Sequence, residues 1–178
     1  MADRLSKEQR RLVMSHIHSN DTGPEKALRK NLWRLGFRYV KNDKRLPGKP
    51  DLVLPKYRTV VFVHGCFWHA HQGCETFRMP RSNTDYWKRK ITRNLERDQD
   101  VWRQLEAKGW NVIIVWECQL KKAMIQETIA NVSTEIRQNG EKYQQECENR
   151  KASREAYCLE WKARKEKESA LMAEIKGR

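Results

Sequence analysis

Residues 64–74 read HGCFWHAHQGC, three histidines and two cysteines within eleven positions. They follow directly on RTVVFVHG, a run rich in β-branched and aromatic residues that reads as a strand. Cys66 and Cys74, with His69 or His71 between them, offer the soft thiolate and imidazole donors that suit tetrahedral Zn²⁺. A closed structural site needs a fourth ligand, and Cys118, at the end of the later apolar run NVIIVWEC, can supply it. Two ligand sets stand open on spacing alone. One takes Cys66, His71, Cys74 and Cys118 and leaves His64 and His69 for other work. The other takes both His69 and His71 and releases Cys118. Buried cysteines with surface histidines are the plain alternative, and the clustering weighs against it.

The remaining sequence predicts an α/β domain with an appendage. At 178 residues the chain has room for one real core. Residues 6–18 read as a helical arm, SNDTGP breaks it, and PEKALRKNLWRLGF carries an apolar stripe that stops at Gly36. DLVL and RTVVFVHG flank Pro55, Lys56 and Tyr57 as a β-hairpin. A charged helix over 85–108 ends at Gly109 before the strand NVIIVWEC. Beyond Cys118, Ile125, Ile129, Val132 and Ile136 mark a helical face that Asn139-Gly140 is expected to end, and 141–178 reads as a solvated or partner-binding helix. The division expected is an N-terminal arm over 1–20, a catalytic domain over 21–120 and a charged helical extension over 121–178.

Charge points to a polyanionic partner. Lysine and arginine number 37 against 23 acidic residues, and most of that excess lies before residue 119, where 24 basic side chains face 13 acidic ones. The longest apolar runs are strand-sized, so no membrane-spanning helix is expected. The charged N-terminus MADRLSKEQRR lacks the apolar stretch of a secretory signal. A cytoplasmic protein is therefore expected, with its five cysteines as ligands or free thiols rather than a disulfide framework.

Pro50-Asp51 opens one strand of the hairpin, and a regular hairpin brings Asp51 beside Phe62 to His64 on the partner strand. A carboxylate, backbone carbonyls and an imidazole then meet at one end of a sheet. Oxygen ligands with open water positions suit Mg²⁺, and a nearby histidine can take a proton from an attacking water. An isolated Pro-Asp merely begins a strand in most proteins; the adjoining histidine cluster raises the catalytic reading. Phe67 and Trp68 sit in the histidine-cysteine loop itself, where two adjacent large rings fit a wedge between bases better than a shared core. Trp87, at helical spacing from Ile91 and Leu95, fits core packing on its own, and His16 and His18 are assigned no chemistry.

These residues resemble the very-short-patch repair endonucleases, which nick DNA beside the thymine of T:G mismatches left by deamination of 5-methylcytosine. The resemblance covers about residues 8–120 and rests on Met14, DTGPEKAL, LPGKPDLVLPKYRTVVFVHGCFWHAH, DYWKRKITRNLERD and GWNVIIVWEC. It implies a restriction-endonuclease-like α/β fold, a central mixed sheet flanked by helices. It implies Mg²⁺ on Asp51 and the backbone carbonyl of Val63, His69 in water activation, and His64 at the active site. Asp98, placed to orient His69, and Glu25 match acidic positions near that site. It selects the structural Zn²⁺ set Cys66, His71, Cys74 and Cys118, and it makes Met14, Phe67, Trp68 and Trp87 a DNA-intercalating wedge. Double-stranded DNA with a T:G mismatch is the implied partner of a monomer in the bacterial cytoplasm, on the nucleoid when acting, with mismatch-repair proteins as further partners.

Two departures stand out. Val63 replaces a threonine of well-known members, which keeps a carbonyl and removes a hydroxyl, and the loop from Cys66 to Cys74 is one residue longer. Against the wider restriction-endonuclease pattern, Phe62-Val63-His64 lacks the second acid and puts histidine in place of lysine. The competing expectations are a non-catalytic zinc-stapled DNA-binding module and a restriction-type nuclease without mismatch preference.

Overall fold

β-Branched and aromatic residues at alternating positions build a four-stranded sheet in the computed structural model, which describes residues 8, 9, 11, 12 and 21–176. The elements run α1 (Gly23–Arg34), β1 (Val40–Lys41), β2 (Leu52–Leu54), β3 (Thr59–His64), α2 (Thr84–Ala107), β4 (Asn111–Trp116) and α3 (Ile125–Lys176). Sheet order is β1-β2-β3-β4. The first three strands pair antiparallel and β3 pairs parallel with β4, so α2 forms the crossover that a parallel connection requires.

The pleat sorts side chains onto two buried faces. Leu52, Leu54, Val61, Ile113 and Val115 face α1 and α3, where they meet Leu28, Leu32, Ile129 and Ile136. Val53, Val60 and Phe62 face α2 and pack on Leu105, Val101 and Trp102. α1 starts with a capping box: Thr22 and Glu25 exchange hydrogen bonds, and Pro24 sits in the first turn.

The expected hairpin is present, closed by a short 3₁₀ turn at Pro55–Tyr57 and by Arg58 in the left-handed region at φ +49°. The Arg58 guanidinium donates to the carbonyls of Lys108 (2.6 Å) and Gly109 (3.0 Å), tying the hairpin turn to the end of α2. β1 adds a strand at the start of the polar stretch KNDKRLPGKP, where none is expected. Its short pairing with β2 is carried by backbone bonds, and Val40 and Lys41 stay exposed, so no apolar alternation marks it.

One expectation is corrected. Asn139-Gly140 does not end a helix: α3 runs unbroken from Ile125 to Lys176. The glycine serves a close approach instead, because a Cβ there would lie 2.6 Å from the Tyr57 ring. The segment expected to begin a separate extension at residue 121 also contributes Ile129, Val132 and Ile136 to the core, whereas from residue 144 to 165 every residue of α3 is exposed.

Ile136 is fully buried and Tyr157 is 69% exposed on the same helix. Ile136→Ala should therefore cost about 2–5 kcal/mol by leaving a cavity. Tyr157→Ala should change stability by less than about 0.5 kcal/mol. Urea unfolding of the two variants checks the pair, and equal losses would contradict the division of α3 into a core half and an exposed half.

Candidate active site and metal centre

Parallel pairing makes β3 and β4 leave the sheet at the same end, with His64 opposite Trp116. The chain beyond His64 turns back at once. His69 N–H donates to the Gly65 carbonyl (3.2 Å) and His71 N–H to that of Cys66 (3.0 Å), with Ala70 at φ +48° and Gly73 at +72°. Ala70 pays for a conformation that L residues rarely adopt, the kind of local strain that clusters at functional sites.

This turn closes a four-residue cluster. One donor atom from each of Cys66, His71, Cys74 and Cys118 lies within 4.8 Å of the others. His71 Nδ1 stands 3.5 Å from Cys66 Sγ and 3.4 Å from Cys118 Sγ, and its ring stacks flat on Trp116 at 4.0 Å. A hydrogen bond from Thr76 brings the Cys74 thiol down to about 6, while burial, with the neighbouring thiols, pushes Cys118 up to about 12. Three thiols crowded on one imidazole make a poor anionic cluster and a good cation cage, and the Cys₃His set can hold a metal ion. Glu117 locks the arrangement: its Oε1 accepts the Cys66 N–H at 2.9 Å. Sequence reasoning passed over Glu117, although its place next to the ligand Cys118 was the available signal.

The second cluster lies at the same sheet end in a cleft of about 780 Å³ whose lining includes Glu25, Asp51, His64, His69, Asp98 and Glu117. Leu52 pairs with Val61, which sets Asp51 at Phe62 as the hairpin reading expects, and Asp51 Oδ2 accepts the Val63 N–H at 2.7 Å. Burial pushes the Asp51 carboxyl up to about 6, against the Val63 hydrogen bond, with Glu25 adding in the same direction. His69 Nδ1 is hydrogen-bonded to Asp98 Oδ2, and Arg97 donates to the other Asp98 oxygen at 3.2 Å. Burial alone would raise Asp98; its bonds to His69 and Arg97 and the charges of both histidines outweigh this and hold it low. The His69 ring stacks on His64 at 3.7 Å. His64 is 5% exposed, its Nδ1 has no hydrogen-bond partner, and burial followed by the charge of His69 drives it down to about 3. His64 is therefore neutral near pH 7, with His69 the member of the stack that is paired to a carboxylate.

Glu25 is only 3% exposed and its carboxylate is committed to the start of α1. It accepts from Asp21 N–H (3.0 Å), Thr22 N–H (3.3 Å) and the Thr22 hydroxyl (2.8 Å), with Arg29 ion-paired to it at 3.5 Å. The cap explains why this acid is where it is, and its charge still reaches Asp51 across the cleft wall.

Phe67, Trp68 and Trp87 meet as three half-buried rings. Phe67 lies edge-on to both tryptophans, at 5.1 Å from Trp68 and 5.2 Å from Trp87. Lys90 sits over Trp68 at 5.0 Å and over Trp87 at 5.5 Å, and Asn94 donates to the Trp68 carbonyl at 3.0 Å. None of the three rings belongs to either core face; on the same helix as Trp87, Ile91 is buried and Leu95 is exposed. Met14 lies outside the described residues, as does most of the N-terminal arm.

A mixed α/β scaffold places a Cys₃His cluster that could hold a metal ion beside a cleft of aspartates and histidines, an arrangement suited to hydrolytic chemistry. The family model described as DNA mismatch endonuclease Vsr matches residues 2–76. A type II nicking enzyme of Neisseria meningitidis, V.NmeAIP, is 51% identical over 138 residues, covering 77% of this chain and 98% of its own. V.XorIIP, a type II nicking enzyme of Xanthomonas oryzae, is 50% identical over 120 residues, 67% of this chain and 88% of its own. The DNA mismatch endonuclease Vsr of Escherichia coli is 44% identical over 121 residues, 68% of this chain and 77% of its own. The chain belongs to the Vsr family.

Cys118→Ser tests the cage. Because a bound structural metal contributes folding free energy, the variant should lose metal by elemental analysis and melt lower than the wild type. Full metal occupancy with unchanged melting would instead favour the set that uses His69 with His71.

Proposed function

We propose that this chain is a Mg²⁺-dependent endonuclease that nicks double-stranded DNA on the thymine strand of T:G mismatches arising from 5-methylcytosine deamination, so initiating very-short-patch repair. The observation that carries the reading is His69 held by Asp98 and stacked on His64 in one cleft with Asp51. The family and its nicking relatives support a DNA-cleaving hydrolase, the mixed sheet flanked by helices fits a restriction-endonuclease-like scaffold, and the basic excess fits its substrate.

Asp51 fits a hard cation: a desolvated carboxylate with a backbone N–H on one oxygen, it gains from a positive charge beside it. Asp51 and the Val63 carbonyl would hold Mg²⁺, which when bound neutralises phosphate charge and lowers the pKa of the attacking water. His69 accepts that water's proton at Nε2, because Nδ1 is engaged by Asp98, whose negative charge stabilises the imidazolium that forms. His64 supports the His69 ring from one face and stays neutral, so it adds no competing positive charge. Glu25 fixes α1 against the cleft and adds negative potential at Asp51.

The metal in the Cys66, His71, Cys74 and Cys118 cage is read as Zn²⁺, for which a Cys₃His set is a common structural ligand group. Bound there, it would brace the loop that carries Phe67 and Trp68 beside the cleft, and these rings with Trp87 enter the DNA stack. A mismatched step costs less to unstack than a paired one, so deformation energy favours T:G. The protein acts as a monomer in the bacterial cytoplasm, on the nucleoid, with mismatch-repair proteins as its expected neighbours.

Incubating purified protein and Mg²⁺ with T:G and matched duplexes is the direct test. Nicking of the thymine strand at T:G alone is expected; cutting both duplexes equally would indicate a restriction-type nuclease, and binding without cutting a DNA-binding module. Asp51→Ala should abolish nicking and keep binding, and His69→Ala should slow nicking by ~10²-fold or more. Replacing Phe67 and Trp68 together by alanine should lose roughly 1–3 kcal/mol of stacking per ring and most of the T:G preference, with zinc content unchanged. Retained preference and a retained 2-aminopurine unstacking signal would make them packing residues.

A further inference from the structure

The turn that delivers Asp51 to the sheet holds a lysine in a conformation that suits glycine. Leu46 to Lys49 form a β-turn, with Pro47 and then Gly48, at φ +68°, in its central places and Lys49 N–H donating to the Leu46 carbonyl at 3.2 Å. The chain stays left-handed for one residue more, because Lys49 itself sits at φ +52°. Gly48 is explained by its neighbour: a Cβ there would lie 2.4 Å from Val101 Cγ1, so the turn is pressed onto α2. Lys49 is not explained in that way. Its Cβ disfavours the left-handed region, and the proline that follows narrows its backbone choices further. Glycine or asparagine would hold the same backbone with less strain.

The other non-glycine residues with positive φ each have an evident reason. Asp21, Asn42 and Asn83 are of the types that tolerate it, Ala70 lies inside the cage turn, and Arg58 is tied by its side chain to Lys108 and Gly109. For Lys49 the reason lies in where its side chain is. Half-buried, it lines the cleft beside Asp51, and its charge acts on that carboxylate against the push of burial. Positive charge is scarce there. Among the described residues the lining carries the carboxylates of Glu25, Asp51, Asp98 and Glu117, against fixed positive charge on Lys49 and Arg97. Arg97 donates to Asp98 at 3.2 Å, and Arg29, which is not part of the lining, is ion-paired to Asp21 and Glu25. His64 is neutral near pH 7 and adds none.

We infer that the Lys49 ammonium binds the phosphate to be cut, donating to one of its non-bridging oxygens. The inference rests on the nicking activity proposed above. As the water oxygen bonds to phosphorus and the leaving oxygen departs, the charge on the non-bridging oxygens is met by an ammonium already in place. Lys49 keeps its proton throughout, since His69 takes the one released by the water. An ammonium has three donors, so a phosphate oxygen can share it with acceptors of the protein. The turn supplies the aim: its backbone is hydrogen-bonded, Gly48 rests on Val101, and the fully buried Pro50 joins Lys49 to Asp51 on one rigid segment. A lysine that merely eases the burial of Asp51 is the plain alternative, and it would be indifferent to the charge of the phosphate.

The test uses the full-length, metal-loaded chain and the variants Lys49→Gln, Lys49→Arg and Lys49→Gly. Nicking of T:G DNA with Mg²⁺ is followed in single turnover at saturating protein. Binding without added Mg²⁺ is compared on duplexes that carry either the normal phosphate or an uncharged methylphosphonate at the position the wild type cuts. Lys49→Gln and Lys49→Gly should nick ~10²-fold more slowly and Lys49→Arg should recover most of the rate, while Lys49→Gly melts no lower than the wild type because glycine suits the turn. The ratio of affinities for the phosphate and methylphosphonate duplexes should fall several-fold in Lys49→Gln and return in Lys49→Arg. The same ratio in the wild type and Lys49→Gln overturns the inference and leaves Lys49 a partner of Asp51 alone. So does a wild type that nicks no faster than Lys49→Gln. A wild type that cuts neither duplex overturns the function proposed above, and this inference with it, so the two failures are told apart by the wild-type lane.

Discussion

The parallel ladder between β3 and β4 is the constraint on which the rest depends. Six consecutive pairs, Thr59 with Asn111 through His64 with Trp116, leave no freedom in how the two strand exits lie. Antiparallel strands would send those exits to opposite ends. Here they emerge side by side, so Gly65-Cys66 and Glu117-Cys118 meet directly, and the hydrogen bond from Cys66 N–H to Glu117 joins them before any metal is considered. The crossover needed to make the strands parallel is α2, and that helix carries Trp87, Asn94 and Asp98 back over the same end. The cage, the cleft and the aromatic cluster are three products of one pairing.

The electrostatics of the cleft follow from who is paired with whom. Asp98 is held ionised by His69 and Arg97, while Asp51 has a single backbone donor against the push of burial, so two carboxylates in one cleft are pushed in opposite directions. The histidines divide likewise: His69 has a carboxylate, and His64 has burial and an unpartnered Nδ1. Groups separated in this way are how a site keeps one acceptor ready and another charged at the same pH.

The hairpin, the two flanking helices and a histidine-cysteine cluster around Cys66 and Cys74 were legible because each rests on a local signal: turn residues, helical periodicity or ligand spacing. Which of the two ligand sets closes was not legible from spacing, since the position of Cys118 depends on strand order. β1 escaped because an exposed two-residue strand has no apolar alternation. Glu25 was legible as an acid near the cleft and not as a helix cap, although Thr22 stands three residues before it. The misread Gly140 is the sharpest lesson. Asn-Gly is a sound stop signal when nothing else explains the glycine, and here the Tyr57 ring, more than eighty residues earlier in the chain, explains it.

The continuity of α3 carries one more consequence. In an unbroken helix every residue is turned by about 100° from the last, so the azimuth of the outer half is inherited from the packing of Ile129, Val132 and Ile136. Inner and outer halves are held in phase as if on one shaft. Substitutions between residues 144 and 149 leave that phase alone, but inserting or deleting a single residue there would swing the whole outer half by a quarter-turn or more while changing none of its own residues. The length of this segment, more than its chemistry, sets which way the outer side chains face.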